Sequence, residues 1–302
     1  MFIIKHKNTF IWISVILVVV SLIPIFMYGL NLGTDFKGGS IIEVSYSQNV
    51  PDKTAITARM SEAGIEVSSI QTAGTNGYLI KMKPISEDER VKAVSFLQAS
   101  STPQDFQVKR FSTIGPSVGA ELARKGLIAL VAVISLIILF IAFAFRHVSR
   151  PVRSWKYGLM AVVALIHDVT IPTGVFAYLG HTRGVEIDSL FLTALLTIMA
   201  LSVSDTIVVF DRIRENLKNK ISPVFEETVG KSLNETIARS LVTSLTVIFV
   251  LIVLFFFGAD STKNFALVLI IGMFFGTYSS IFLASPLLVV AYNRQEAKKL
   301  KK

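Results

Sequence analysis

Cysteine is missing from all 302 residues, which excludes disulfides, thiolate metal sites and cysteine nucleophiles. Charge is scarce as well. Only 17% of the residues are charged, against about 25% in an ordinary soluble domain. In place of charge there is hydrophobic bulk, 52% of the chain, gathered in blocks of about twenty residues or more, the length that crosses a bilayer as a helix. The formal net charge is +9, but the basic residues cluster in short loops beside those blocks. Topology accounts for them, and no nucleic-acid partner is expected.

Six spans fit the pattern: about Phe10–Leu30, Gly126–Phe145, Trp155–Leu179, Leu190–Phe210, Thr236–Gly258 and Phe265–Tyr292. The first is too long for a signal-peptide core and has no small-residue cleavage site after it, so it reads as an uncleaved span. The loops alternate in Lys/Arg content. One side holds Lys5, Lys7, Arg146, Arg150, Arg153, Lys156, Arg212, Arg214, Lys218, Lys220, Lys231, Arg294 and the run Lys298–Lys302. The two short loops on the other side hold only Arg183 and Lys263. The positive-inside rule then places both termini in the cytoplasm.

The segment Gly33–Lys125 is therefore expected to be extracytoplasmic. Ser40–Ser45, Ile65–Thr72, Tyr78–Lys83 and Phe106–Thr113 read as strands. Asp52–Glu62 reads as a helix ended by Gly64, and Ser86-Glu-Asp-Glu opens another to about Gln98 through a capping box. The order β-α-β-β-α-β is the ferredoxin-like signature. The expected fold is thus a membrane all-α bundle of six transmembrane helices with one α+β ferredoxin-like domain. Its parts are residues 1–32, the N-terminus and first span; 33–120, the domain; 121–292, five spans; and 293–302, a basic cytoplasmic tail. The domain shows no catalytic constellation, so a contact surface is expected and not an enzyme. No metal site and no cofactor are expected.

Ionisable groups inside spans are the sharpest signal, since each costs roughly 2.5–3.5 kcal/mol at mid-bilayer and marks pathways or relays. Three places carry them: His167-Asp168 in the third span, Asp205 in the fourth and Arg239 in the fifth. Asp205 precedes Asp211 by six residues, a depth of about 9 Å. Arg239 lies at similar depth on a span running the other way, so the two can pair if those helices touch. Glu235, Arg239, Thr243 and Thr246 share one face of the fifth span, and Ser202 shares a face with Asp205. Two polar stripes could hold water and pass a proton. A static ion pair that only fixes packing is the competing reading. His167 and Asp168 point about 100° apart on a helix and need not bond each other; a second proton-active or gating site and a capped polar pair both remain open.

Gly33-Thr34-Asp35-Phe36-Lys37-Gly38-Gly39 follows the first span and reads as a structural joint, its paired glycines allowing a tight turn into the first strand. Gly272-Met273-Phe274-Phe275-Gly276 is a G-x-x-x-G, a motif of close helix contact. The charged stretch Asp211–Glu235 contains Pro223 and Gly230, so it is expected to be a solvated connector and not one continuous helix.

Several of these runs carry a family resemblance. Gly33–Gly39 resembles the G-x-D-F-x-G-G motif of the SecD/SecF family of protein-export membrane proteins. Ala164-Leu165-Ile166-His167-Asp168-Val169 resembles its third-span motif. Ser202–Asn216 is similar to the fourth-span signature S-V-N-D-T-I-V-V-F-D-R-I-R-E-N, with Ser204 in place of Asn. Arg239–Ser244 resembles the fifth-span R-T-L-x-T-S, with Ser240 in place of Thr. The match covers the whole chain, span count included, and the length implies the smaller subunit type rather than a fused one.

The resemblance implies proton-gradient-driven assistance of Sec-dependent preprotein translocation across the bacterial inner membrane. Its implied partners are SecD as a separate chain, the SecYEG channel, YajC, unfolded preprotein clients and protons. It also implies a proton-relay role for Asp205, with Arg239, Thr243, Asp168 and His167 on the path. One charge moved through 100 mV is worth about 2.3 kcal/mol, enough to bias a two-state swing. A resistance-nodulation-division type small-molecule or lipid exporter would carry two large domains and about twelve spans. A mere client-binding anchor has no need of charges in three spans. An intramembrane protease lacks its motifs here: no G-x-G-D surrounds Asp205, and no G-x-S-G accompanies His167.

Overall fold

The computed structural model describes residues 2–99, 105–144 and 152–300. Arg146, Arg150, Lys301 and Lys302, counted above among the basic residues, and Phe145, the second span's expected last residue, lie outside them. The helices and strands in chain order are α1 Phe2–Lys5, α2 Lys7–Tyr28, α3 Thr34–Lys37, β1 Gly39–Tyr46, α4 Lys53–Glu62, β2 Val67–Ala73, β3 Gly77–Met82, α5 Glu87–Gln98, β4 Phe106–Ile114, α6 Pro116–Ala144, α7 Ser154–Arg183, α8 Ser189–Lys218, α9 Phe225–Phe257, α10 Asp260–Ser279 and α11 Ser285–Leu300. A π-helical turn, Ser280–Ala284, joins α10 to α11. Among the described residues six helical stretches are long and apolar enough to cross a membrane: α2, α6, α7, α8, α9, and α10 continued through α11.

The chain divides into two compact units. One contains residues 32–127 and, from far along the sequence, 186–189. Its four-stranded antiparallel sheet has the order β2-β3-β1-β4, with two helices in the order β-α-β-β-α-β. The period-2 pattern explains the core. Ile42, Val44 and Tyr46 of β1 and Tyr78, Ile80 and Met82 of β3 all point to one face and are buried. That face is covered by i, i+4 pairs, Ile56 and Met60 of α4 and Ala93 and Leu97 of α5. α5 begins where the sequence places it: the Ser86 hydroxyl accepts from Glu89 N–H while the Glu89 carboxylate accepts from Ser86 N–H, 2.8 Å away. Gly64, at φ +76°, follows the end of α4.

The second unit contains residues 1–31, 128–185 and 190–302. Small residues set its closest approaches. A Cβ on Gly174 of α7 would collide with the Ser21 backbone of α2. The G-x-x-x-G of α10 works the same way, with Gly272 against Ile198 and Gly276 against Ser202, both on α8. The stretch between the fourth and fifth spans is broken, as expected, but it is far more helical than a solvated connector. α8 runs on to Lys218 and α9 starts at Phe225, so Gly230 lies within a helix and the break is confined to residues around Pro223. Gly230 is buried, and packing offsets its low helix propensity.

Candidate functional site in the apolar helices

Four helices bring two carboxylates into one polar cluster. Asp168 of α7 is fully buried. His167 Nδ1 lies 2.9 Å from Asp168 Oδ1, so the neighbours on the helix do bond each other. Ser202 of α8 and Ser279 of α10 both donate to Asp168 Oδ2, at 2.5 and 2.8 Å. Three partners from three helices satisfy a carboxylate that would otherwise be very costly here. The His167 ring lies 6.0 Å from that of Tyr278, nearly parallel. Its Nε2 is buried with no hydrogen-bond partner among the described residues. The π-helical turn begins directly after Ser279, a device often found at functional positions.

Asp205 lies one turn beyond Ser202 on α8 and is half-buried. Ser244 of α9 donates to its Oδ2 at 3.4 Å, and Thr277 of α10 donates to Ser244 Oγ. α10 therefore reaches both carboxylates, through Thr277 on one side and Ser279 on the other. No ion pair joins Asp205 to Arg239 among the described residues. The face of α9 that turns inward carries Thr228, Ser232, Thr236, Ser240 and Ser244, all buried, while Arg239, Thr243 and Thr246 are exposed. That run of hydroxyls at every fourth residue is legible in the sequence, beside the charged face that carries Glu235 and Arg239. Hydroxyls are tolerated here because they bond back to the preceding turn, as Ser232 does to Thr228 O and Thr236 to Ser232 O.

Arg239 instead lines a groove of about 500 Å³ with Ile207, Val208, Asp211, Arg212 and Glu235. Arg212 bridges Glu235 and Glu215, each at 2.6 Å. Asn216 Nδ2 donates to Glu235 at 2.8 Å and to Ser232 at 2.9 Å. A charged groove thus lies along α8 from Ile207 onward, two residues beyond Asp205.

The joint at Gly33–Gly39 is built from close backbone contacts within the sheet unit. Gly38 and Gly39 have φ of +79° and +157°, a region that side chains rarely enter. A Cβ on Gly38 would sit 2.8 Å from Pro116, and one on Gly39 would sit 2.8 Å from Thr34 and 2.9 Å from the Met82 carbonyl. Gly33 N–H donates to Ile187 O at 2.8 Å.

Comparison with known proteins falls on these same residues. The C-terminal family of the SecD/SecF protein-export membrane proteins matches residues 95–294. The SecD/SecF GG motif matches residues 25–50. The chain belongs to the SecD/SecF family. A "Protein translocase subunit SecF" from Thermobaculum terrenum is 41% identical, over 97% of this chain and 94% of that protein. One from Helicobacter pylori strain J99 is 32% identical, over 99% and 91%. The crystal structure of SecDF, a translocon-associated membrane protein from Thermus thermophilus, superposes with a TM-score of 0.81 at 32% identity. It covers 96% of this chain but only 38% of the SecDF chain. The GG motif of the family is thus, in this member, a pair of positions where no side chain fits. Of the two departures from the family pattern, Ser204 is exposed, and Ser240 is buried with its hydroxyl unpartnered among the described residues.

Proposed function

We propose that this SecD/SecF family member is a SecF-type subunit that uses the proton gradient to assist preprotein translocation, with Asp205 as the proton-carrying group. The observation that carries this is the placement of Asp205. It is a half-buried carboxylate within an apolar helix, held by one neutral hydroxyl and lacking a salt-bridge partner among the described residues, two residues before the charged groove begins at Ile207. A carboxylate tied down by a guanidinium stays ionised. One held only by Ser244 is free to change its charge as its surroundings change. Asp168 and His167 form the enclosed branch of the same relay, joined to it through the hydroxyls of α10. Arg239 and Thr243 lie on a face this chain leaves uncovered. A SecD-type subunit covering that face would bring Arg239 and Thr243 into the relay, and the SecYEG channel and YajC complete the assembly.

In this reading the protein resides in the bacterial inner membrane with both termini cytoplasmic. Its sheet unit, a ferredoxin-like domain by strand order, projects outward to meet emerging preprotein. The test is Asp205→Asn, nearly isosteric and unable to ionise. Membrane vesicles carrying it should keep the protein inserted and bound to its SecD-type partner, yet lose the export increment that a proton gradient adds. Full gradient-stimulated export by Asp205→Asn vesicles would reduce Asp205 to a packing residue.

A further inference from the structure

The loop that precedes α8 is built into the sheet unit, and this links the sheet to the helix that carries Asp205. Residues 186–189 cluster with residues 32–127 as one compact unit. Several interactions hold them there. Leu32 and Ile187 form a parallel bridge. The bridge's hydrogen bond runs from Gly33 N–H to Ile187 O at 2.8 Å, and a Cβ on Gly33 would be tight, 3.0 Å from the Glu186 carboxylate and 3.2 Å from Ile187 O. Lys81, on strand β3, pairs with Glu186 at 2.7 Å, both side chains largely shielded from solvent. Asp35 accepts from the backbone N–H of Ser189 at 3.0 Å and also from the Ser189 hydroxyl. Ser189 is the first residue of α8, so Asp35 acts as a cap supplied from elsewhere in the chain. It accepts from a first-turn N–H and places a negative charge at the positive end of the helix.

We propose that Asp35, Lys81 and Glu186 are positioning residues that fix the start of α8 to the sheet domain, so that α8 and the domain move as one during the export cycle. This rests on the reading of Asp205 as the proton carrier. Asp205 follows Ser189 by sixteen residues of one unbroken helix, about 24 Å at 1.5 Å per residue. A helix is stiff along its axis, so a shift of α8 that follows a change of charge at Asp205 is delivered to β3 through Lys81–Glu186 and to the Gly33–Gly39 joint through Asp35. The clamp stays closed throughout. It transmits, and it does not gate.

The test uses the full chain in membrane vesicles together with its export partners. Lys81→Glu places two carboxylates face to face and should abolish the export increment due to the proton gradient, while the vesicles still take up protons. Lys81→Glu combined with Glu186→Lys restores the pair with reversed polarity and should restore the increment. Leu32→Cys with Ile187→Cys adds a covalent version of the clamp. Bridged strands lie about 4.8 Å apart, within disulfide reach, and the chain has no other cysteine. Oxidised, this pair should leave gradient-driven export intact and should rescue Lys81→Glu. Full stimulation in Lys81→Glu, or loss of stimulation on oxidation of the cysteine pair that returns on reduction, would overturn the proposal. Failure of the Asp205 reading looks different: Asp205→Asn would then keep both proton uptake and stimulation, with or without the disulfide.

Discussion

Replacing Gly272 by alanine tests how closely α8 and α10 are packed and what depends on that packing. The added Cβ would lie 2.9 Å from Ile198 Cγ2 and closer still to Cδ1 and Cγ1, where carbon atoms prefer about 3.5–4.0 Å. Ile198 is fully buried, and a β-branched side chain in a helix has essentially one χ1 rotamer. The side chain has nowhere to swing, so the helices must separate. Overpacking of this kind costs about 1–3 kcal/mol. Against it stands the gain of about 0.8–1 kcal/mol for alanine over glycine inside a helix. Gly158 of α7 is the control, because its nearest neighbour to an added Cβ is the Ile138 carbonyl at 3.7 Å. Gly158→Ala keeps the propensity gain without the clash. In detergent, Gly272→Ala should melt below the parent protein and Gly158→Ala at or above it. Shortening the obstacle with Ile198→Val should return part of the loss, with a coupling energy of about 0.5 kcal/mol or more in a double-mutant cycle. Because α10 carries Thr277 and α8 carries Asp205, gradient-driven export should fall together with the melting temperature. If Gly272→Ala melts no lower than Gly158→Ala, or Ile198→Val returns nothing, the close approach does not govern this interface.

Three further outcomes are expected. Ser244→Ala removes the donor to Asp205 and should lower gradient-stimulated export while sparing gradient-independent export, and Thr277→Val should do the same more weakly; equal losses in both assays would contradict this. A fragment of residues 33–125 should fold and melt cooperatively, and Ser86→Ala, which breaks the capping box, should cost about 1 kcal/mol, or roughly 4–8 °C. In the same fragment burial pushes the Tyr46 phenol up to about 12. The unfolded chain, titrating near 10, therefore loses its proton first as pH rises. Stability should be full below about pH 10, fall between about 10 and 12, and lose that dependence in Tyr46→Phe. For topology, Thr75→Cys at the exposed tip between β2 and β3 should react with an impermeant reagent in intact cells, and Asn219→Cys only after permeabilisation.

Much of this protein follows from local rules that act within one stretch of chain. Apolar blocks long enough for a bilayer, strands with a two-residue period, Ser86 followed by Glu89, and glycine after α4 each define an element without knowledge of its neighbours. The positions of the buried carboxylates were equally plain, because a charge in an apolar run stands out whatever surrounds it. Their partners were not. Whether Asp205 meets Arg239 or Ser244 depends on the rotation of α9 about its axis, and that is decided by which face of α9 packs best. The small-hydroxyl face packs closely and turns inward, while a bulky guanidinium costs less at a charged groove than between packed helices. Ser279 and Thr277 belong to the site only because two glycines let α10 lie against α8. The same holds for Asp35 and Ser189, which are 154 residues apart. A cap supplied from so far along the chain leaves no local trace, since the donor and acceptor are matched by the fold and not by spacing. Periodicity therefore determined what each segment becomes, and only the packing of segments distant in sequence decided which side chains meet and hydrogen-bond.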